Sequence, residues 1–227
     1  VDALKHLLTR IAAAEERSSR PRGSVGLIAV SKSRTVAEIL ALAGRGQRRF
    51  GENYLQEALP KIGALQGQLL EWHFIGRVQT NKSELIARNF SFVHTVDREK
   101  VAAALDVHRP ARLPPLEVCI QVDISGEPSK SGVALTDLPA LAEAVARYPR
   151  LRLRGLMALP APNRDFDGQR VSFRPLAAAL YDLCDRGYAL DTLSIGTSED
   201  FEAAIFEGAT LVRIGTALFG PRGVRAR

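Results

Sequence analysis

A single (β/α)8 barrel with one extra N-terminal helix is the fold class that the sequence predicts, on three observations. Eight short apolar runs rich in β-branched and aromatic residues alternate with amphipathic stretches along the chain. The 227 residues come close to the roughly 250 typical of such barrels. The first strand runs into Ser31-Lys32-Ser33 without a glycine, so the Gly-rich fingerprint that a doubly wound open sheet would carry there is missing. No break in composition marks a second domain, and residues 1–227 are expected to form one.

The elements follow in order. Leu4, Leu7, Leu8, Ile11 and Ala12 recur at helical spacing and place the extra helix over residues 2 to about 17, with Ser18 to Ser24 as its exit loop. Gly26 to Val30 is a buried strand that ends at Lys32. Thr35 caps a helix to about Ala43, and Arg48 to Asn53 is the second strand. A helix from Tyr54 to Leu65, a strand at Trp72 to Gly76, a helix from Ser83 to Asn89 and a strand at Phe92 to Val96 come next. Asp97 starts a helix to Val107, and a Pro-rich loop leads to the fifth strand, Glu117 to Ile124. Thr136 caps a helix to Tyr148, and Leu151 to Leu159 is the sixth strand. A long helix within Phe166 to Gly187, a strand at Thr192 to Gly196, a helix from Glu199 to Glu207 and a strand at Leu211 to Gly215 complete the alternation.

Composition excludes several classes. With 46% hydrophobic and 25% charged residues the chain is globular rather than disordered. No apolar run approaches the roughly 18 to 20 residues that span a bilayer and no signal pattern opens the chain, so a cytoplasmic location without membrane contact is expected. A net charge of +6 raises nucleic acid as a partner. The basic residues are mostly arginines scattered beside acids, with no interleaved aromatics to stack bases, and no specific nucleic-acid partner is expected. Cys119 and Cys184 belong to no CxxC or Cys/His cluster, which points to two free, buried thiols and no metal site.

Active sites of such barrels lie at the C-terminal strand ends, which here bring Lys32, Glu52 and Asn53, His73 to Gly76, His94, Asp123, Met157 and, in loops, Lys82 and Lys130 to one rim. Lys32 stands directly on its strand, where partial desolvation would lower its pKa and free an amine able to condense with an aldehyde. The loop amines of Lys82 and Lys130 are hydrated, so Lys32 is the preferred nucleophile; the plain alternative is a lysine capping a strand. The last two strands end in Gly196-Thr197-Ser198 and Gly215-Thr216, glycine followed by hydroxyl residues, a pattern suited to phosphate, with Ser198 as a candidate N-cap. Glu199 and Asp200 would repel a phosphate unless they point away, and each Gly-Thr pair alone is an ordinary strand-to-helix turn. Arg213 shares strand parity with Gly215 and should face the barrel interior, either paired with a carboxylate or beside a ligand. An amine with a phosphate cradle suggests an aldehyde bearing a phosphate, of which pyridoxal phosphate is the commonest cofactor.

Ala29-Val30-Ser31-Lys32, Phe50-Gly51-Glu52-Asn53-Tyr54, Trp72-His73-Phe74-Ile75-Gly76, Gln79 with Asn81-Lys82, Ser129-Lys130-Ser131-Gly132, Arg154-Gly155-Leu156-Met157 and Val212-Arg213-Ile214-Gly215-Thr216 together resemble the pyridoxal phosphate homeostasis proteins of the YggS/PROSC type, from about Leu4 to Gly220. The resemblance implies a barrel like the N-terminal domain of alanine racemase, with pyridoxal phosphate held as an aldimine on Lys32. It also implies phosphate binding around Ser198, Gly215 and Thr216, Arg213 at the pyridine nitrogen, and Asn53 and Met157 lining the pocket. Such proteins act in vitamin B6 and amino-acid balance as carriers or regulators, with no established turnover, and transient contact with apo-enzymes is an implied partnership. The alternatives are an amino-acid racemase and a Schiff-base aldolase. A racemase needs acids or bases on both cofactor faces, for which His73, His94 and Tyr54 are conceivable, though barrel histidines are more often packed core residues. Alanine racemase brings one such group from a second domain and a partner subunit, whereas this chain stops barely past its eighth strand, and a monomer is expected.

Overall fold

The computed structural model describes residues 2–125 and 131–220. Its strands are β1 (Gly26–Val30), β2 (Arg49–Glu52), β3 (Glu71–Phe74), β4 (Phe92–Val96), β5 (Leu116–Asp123), β6 (Val133–Ala134), β7 (Leu151–Met157), β8 (Thr192–Ser194) and β9 (Leu211–Ile214). All pair in parallel, in the cycle β1-β2-β3-β4-β5-β7-β8-β9, and β9 returns to β1 through Gly26 to Ala29 against Leu211 to Ile214. The expected eight-stranded barrel is therefore closed, with the β4–β5 seam in register at Phe92 opposite Glu117. The two-residue β6, which the alternation does not predict, is appended to the end of β5 at Val122 and Asp123.

Period-2 alternation divides the core into two layers. Leu27 and Ala29 point outward with Phe50, Trp72, Val93, Val118 and Val212, against a coat of helices. Between them Ile28 points inward and packs with Phe92, Cys119, Met157 and Leu211. Of the two cysteines, Cys119 is buried and free as expected, whereas Cys184 is only half-buried.

The helices are α1 (Ala3–Arg17), α2 (Val36–Ala43), α3 (Leu55–Ala64), α4 (Ser83–Asn89), α5 (Glu99–His108), α6 (Leu138–Ala146), α7 (Phe166–Asp185), α8 (Phe201–Phe206) and α9 (Thr216–Phe219). Asp2 caps α1 through Lys5 N, and Thr35 forms a full capping box with Glu38 on α2, as the Thr-x-x-Glu spacing predicts. Three other starts are corrected. Asp97 pairs with Arg98 and α5 begins at Glu99. Asp137, not Thr136, precedes α6. Ser198 does not cap α8, because Asp200 folds back onto Thr197, its Oδ1 accepting from the Thr197 amide (2.6 Å) and hydroxyl (2.9 Å), and this turn delays the helix to Phe201.

Candidate functional site

Register carries the site. Ile28 lies opposite Arg213, so two residues further along each strand Gly215 stands against Val30, with Lys32 just above. Ser31 still donates its amide to Gly51 O (2.9 Å), so Lys32 is the first residue past the sheet. The chain then turns through Ser33 at φ +61° to reach Thr35. On β2 the same alternation sends Glu52 outward and Asn53 inward. Asn53 can sit there because Gly76 has no side chain: a Cβ at Gly76 would fall 1.9 Å from the Asn53 carbonyl.

These strand ends form an open cavity of about 270 Å³, just below the roughly 300–1,000 Å³ of small-molecule sites. Lys32, Asn53, Met157, Ser198, Arg213, Gly215 and Thr216, the complete set named from the sequence, all line it. Rather than capping α8, Ser198 accepts the Ala217 amide at its Oγ (3.3 Å) and so ties the β8 loop to the first turn of α9. Asp200 is engaged with Thr197, while Glu199 is exposed and lines the mouth.

Arg213 is 5% exposed and faces inward, as its parity requires. Its guanidinium donates to the Ser194 carbonyl (2.5 Å) and hydroxyl (2.7 Å) and to Ala158 O (3.0 Å). No carboxylate pairs with it among the described residues, so the structural Arg–carboxylate pair is not what holds it. Burial lowers its pKa to about 10, which leaves it a cation at neutral pH. Behind it runs a hydrogen-bond chain: Ser194 Oγ to His94 Nδ1 (2.9 Å), then His94 Nε2 to His73 Nδ1 (2.8 Å). Burial depresses the pKa of both histidines, His94 strongly, so both are neutral. One tautomer set satisfies the chain from Arg213 onward: the Ser194 hydroxyl donates to His94, and His94 donates to His73.

The cavity suits an anion with an apolar body. Lys32, Arg34 and Arg213 outnumber Glu199, hydroxyls of Thr197, Ser198 and Thr216 stand at one end, and Val30, Ile75, Met157 and Leu159 supply apolar wall. Asn53 Oδ1 is buried without a protein partner, which leaves an acceptor at the cavity wall open to a ligand's donor.

The alanine racemase N-terminal domain family matches residues 2–223. A pyridoxal phosphate homeostasis protein of Pseudomonas aeruginosa is 55% identical, with 94% of this chain and 91% of that protein covered. The chain belongs to the pyridoxal phosphate homeostasis protein family. The family's Escherichia coli K12 member is 50% identical over 96% of this chain and 95% of its own. Among solved structures, PipY of Synechococcus elongatus with PLP bound superposes with a TM-score of 0.82 at 33% identity, covering 94% of this chain and 99% of that one.

Several residues singled out earlier lie apart from the cavity of this family member. His73, His94 and Tyr54 do not line it: the histidines are buried in the barrel and Tyr54 is exposed. Lys82 ends a short 3-10 turn (Thr80–Lys82) away from the lining, and Lys130 lies outside the described residues. Arg34 lies at a position where the sequence departs from the family pattern, outside the set named for the cofactor, and it does line the cavity, held by Glu38 (3.3 Å), by the Gly220 carbonyl and over the Phe219 ring. Nothing in Ser-Arg-Thr announces this, because it depends on the left-handed turn at Ser33.

Proposed function

We propose that this protein binds pyridoxal 5'-phosphate at the β-strand rim and acts in intracellular vitamin B6 and amino-acid balance by holding and releasing the cofactor without turnover. The observation that carries this reading is the single cavity shared by the Lys32 amine, the carboxylate-free Arg213 cation and the hydroxyl edge of Ser198 and Thr216. When bound, pyridoxal phosphate supplies an aldehyde that condenses reversibly with an amine. Lys32 Nζ is the tether. Ser198, Thr216 and the backbone at Gly215, which line the same end of the cavity, would receive the phosphate. Arg213 holds a donor toward the ring nitrogen and keeps it unprotonated, which makes the ring a weak electron sink. Asn53 and Met157, which line the same cavity, would hold the ring in place by a polar and an apolar contact. The reading is supported by PipY, a structural relative whose solved structure has PLP bound.

A racemase would place acids or bases on both faces of the ring. Beside Lys32, the cavity lining among the described residues holds one carboxylate, the exposed Glu199, and no His or Tyr, which favours a carrier. Residues 1–227 act as one cytoplasmic, monomeric domain that meets apo-enzymes transiently. The test is direct: adding pyridoxal phosphate to the wild type develops a visible absorbance that Lys32→Ala lacks, and a wild type that stays colourless overturns the reading. Incubating the loaded protein with L-alanine yields no D-isomer beyond one equivalent; sustained turnover establishes the racemase instead.

A further inference from the structure

Lys61 belongs to α3, four residues after Glu57, a spacing that reads as a surface ion pair. It is 6% exposed instead. Its ammonium uses all three donors, on Ser31 O (2.8 Å), Glu52 Oε1 (2.8 Å) and Glu57 Oε1 (2.7 Å). Each contact bears on the segment that carries Lys32. Ser31 O is the carbonyl of the peptide that enters Lys32, and the Ser31 hydroxyl donates to the same Glu52 oxygen (2.6 Å). Glu57 Oε1 also accepts the amide of Ser33, the residue that follows Lys32.

Ser33 is one of two non-glycine residues with positive φ among those described. A left-handed conformation costs an L residue free energy and persists only where neighbours over-determine it. Here the neighbours are the carboxylates that Lys61 draws together. Folding alone gives little reason for such a cluster. Glu52 is wholly buried with Oε2 unpartnered, and a buried ion pair gains little over a packed apolar one because its desolvation offsets its attraction.

Resting on the reading of Lys32 above, we propose that Lys61, Glu52 and Glu57 are positioning residues: a buried clamp on Ser31 and Ser33 that forces the left-handed turn and aims the Lys32 amine into the cavity. The clamp touches neither the phosphate edge nor Arg213, so it should govern capture of an aldehyde and not binding of the rest of the ligand.

Pyridoxine 5'-phosphate, which has the ring and phosphate but no aldehyde, separates the two. Wild type, Lys61→Met, Glu57→Ala and Glu57→Gln would be titrated with pyridoxal phosphate by visible absorbance and with pyridoxine phosphate by calorimetry. Lys61→Met and Glu57→Ala should raise the apparent Kd for the aldehyde about tenfold and leave that for pyridoxine phosphate within about twofold. Glu57→Gln keeps an acceptor for the Ser33 amide and should recover most of the affinity that Glu57→Ala loses. Should Lys61→Met not fold, the two Glu57 variants decide alone. Equal losses for both ligands, or no loss for the aldehyde, overturn the clamp; a wild type without visible absorbance overturns the reading of Lys32 as well.

Discussion

Arg213 concentrates the chemistry of the site in one residue. A buried guanidinium with no carboxylate in direct contact carries a desolvation cost that its bonds to Ser194 and Ala158 and the more distant charge of Asp200 offset only in part. An anionic or lone-pair-bearing ligand would recover that cost, which is why the residue makes a better binding group than a structural one. Arg213→Gln keeps an amide donor and removes the charge. On the proposed orientation it should weaken pyridoxal phosphate binding about tenfold, the roughly 1.4 kcal/mol expected for a charge-assisted hydrogen bond, while visible absorbance still develops at saturation. Absorbance titration checks this, and unchanged affinity would remove Arg213 from the ligand. Strand parity already places Arg213 and Gly215 on one side in the sequence. That its acceptors are carbonyls and a hydroxyl depends on β8 lying beside β9, a tertiary fact that no local pattern encodes.

At the scale of elements, the strands were the readable part, because each pairs an inward with an outward face and ends at a turn. Helix starts were less so: Ser198, Thr136 and Asp97 are all good capping residues, yet the starts lie one or two residues later, at α8 because Asp200 folds back onto Thr197. Two buried charges shared a signal that could have been read. Glu15 falls in the apolar stripe of α1 with Leu4, Leu7 and Ile11, and Lys61 falls in that of α3 with Leu55 and Ala58. A charge inside an apolar stripe needs a partner. Glu15 finds it in the turn entering β1, accepting from the amides of Gly23 (3.0 Å) and Val25 (2.8 Å) and so fastening α1 to the barrel. Glu15→Ala should therefore cost about 3 kcal/mol, two charged hydrogen bonds and their orphaned donors, with Glu15→Gln recovering part of it in urea denaturation.

At the scale of the molecule, the closed barrel keeps a polar line along its axis where most of its interior is apolar. His94 is wholly buried between His73 and Arg213, and His73 has its Nε2 3.8 Å from Glu71, with Arg49 and Glu117 also bearing on it. Burial holds both histidines below the ordinary pKa of about 6.5 that they regain on unfolding. Between the folded and unfolded values the unfolded chain binds protons that the folded chain does not. Their contribution is thus complete above about pH 6.5 and is lost as pH falls toward the folded values. Each histidine can add a slope of up to about 1.4 kcal/mol per pH unit in that window. Glu52 works in the opposite sense: burial raises its pKa, so its contribution is lost as pH rises through the folded value. That effect is common to wild type and His94→Gln and cancels in their difference. The expected result is that wild type loses more stability than His94→Gln between pH 6.5 and 5.5, by up to about 1.4 kcal/mol, in denaturant titrations at each pH. Parallel losses would mean that His94 takes up its proton in the folded barrel, and the axial chain would then run through a charged imidazole beside Arg213.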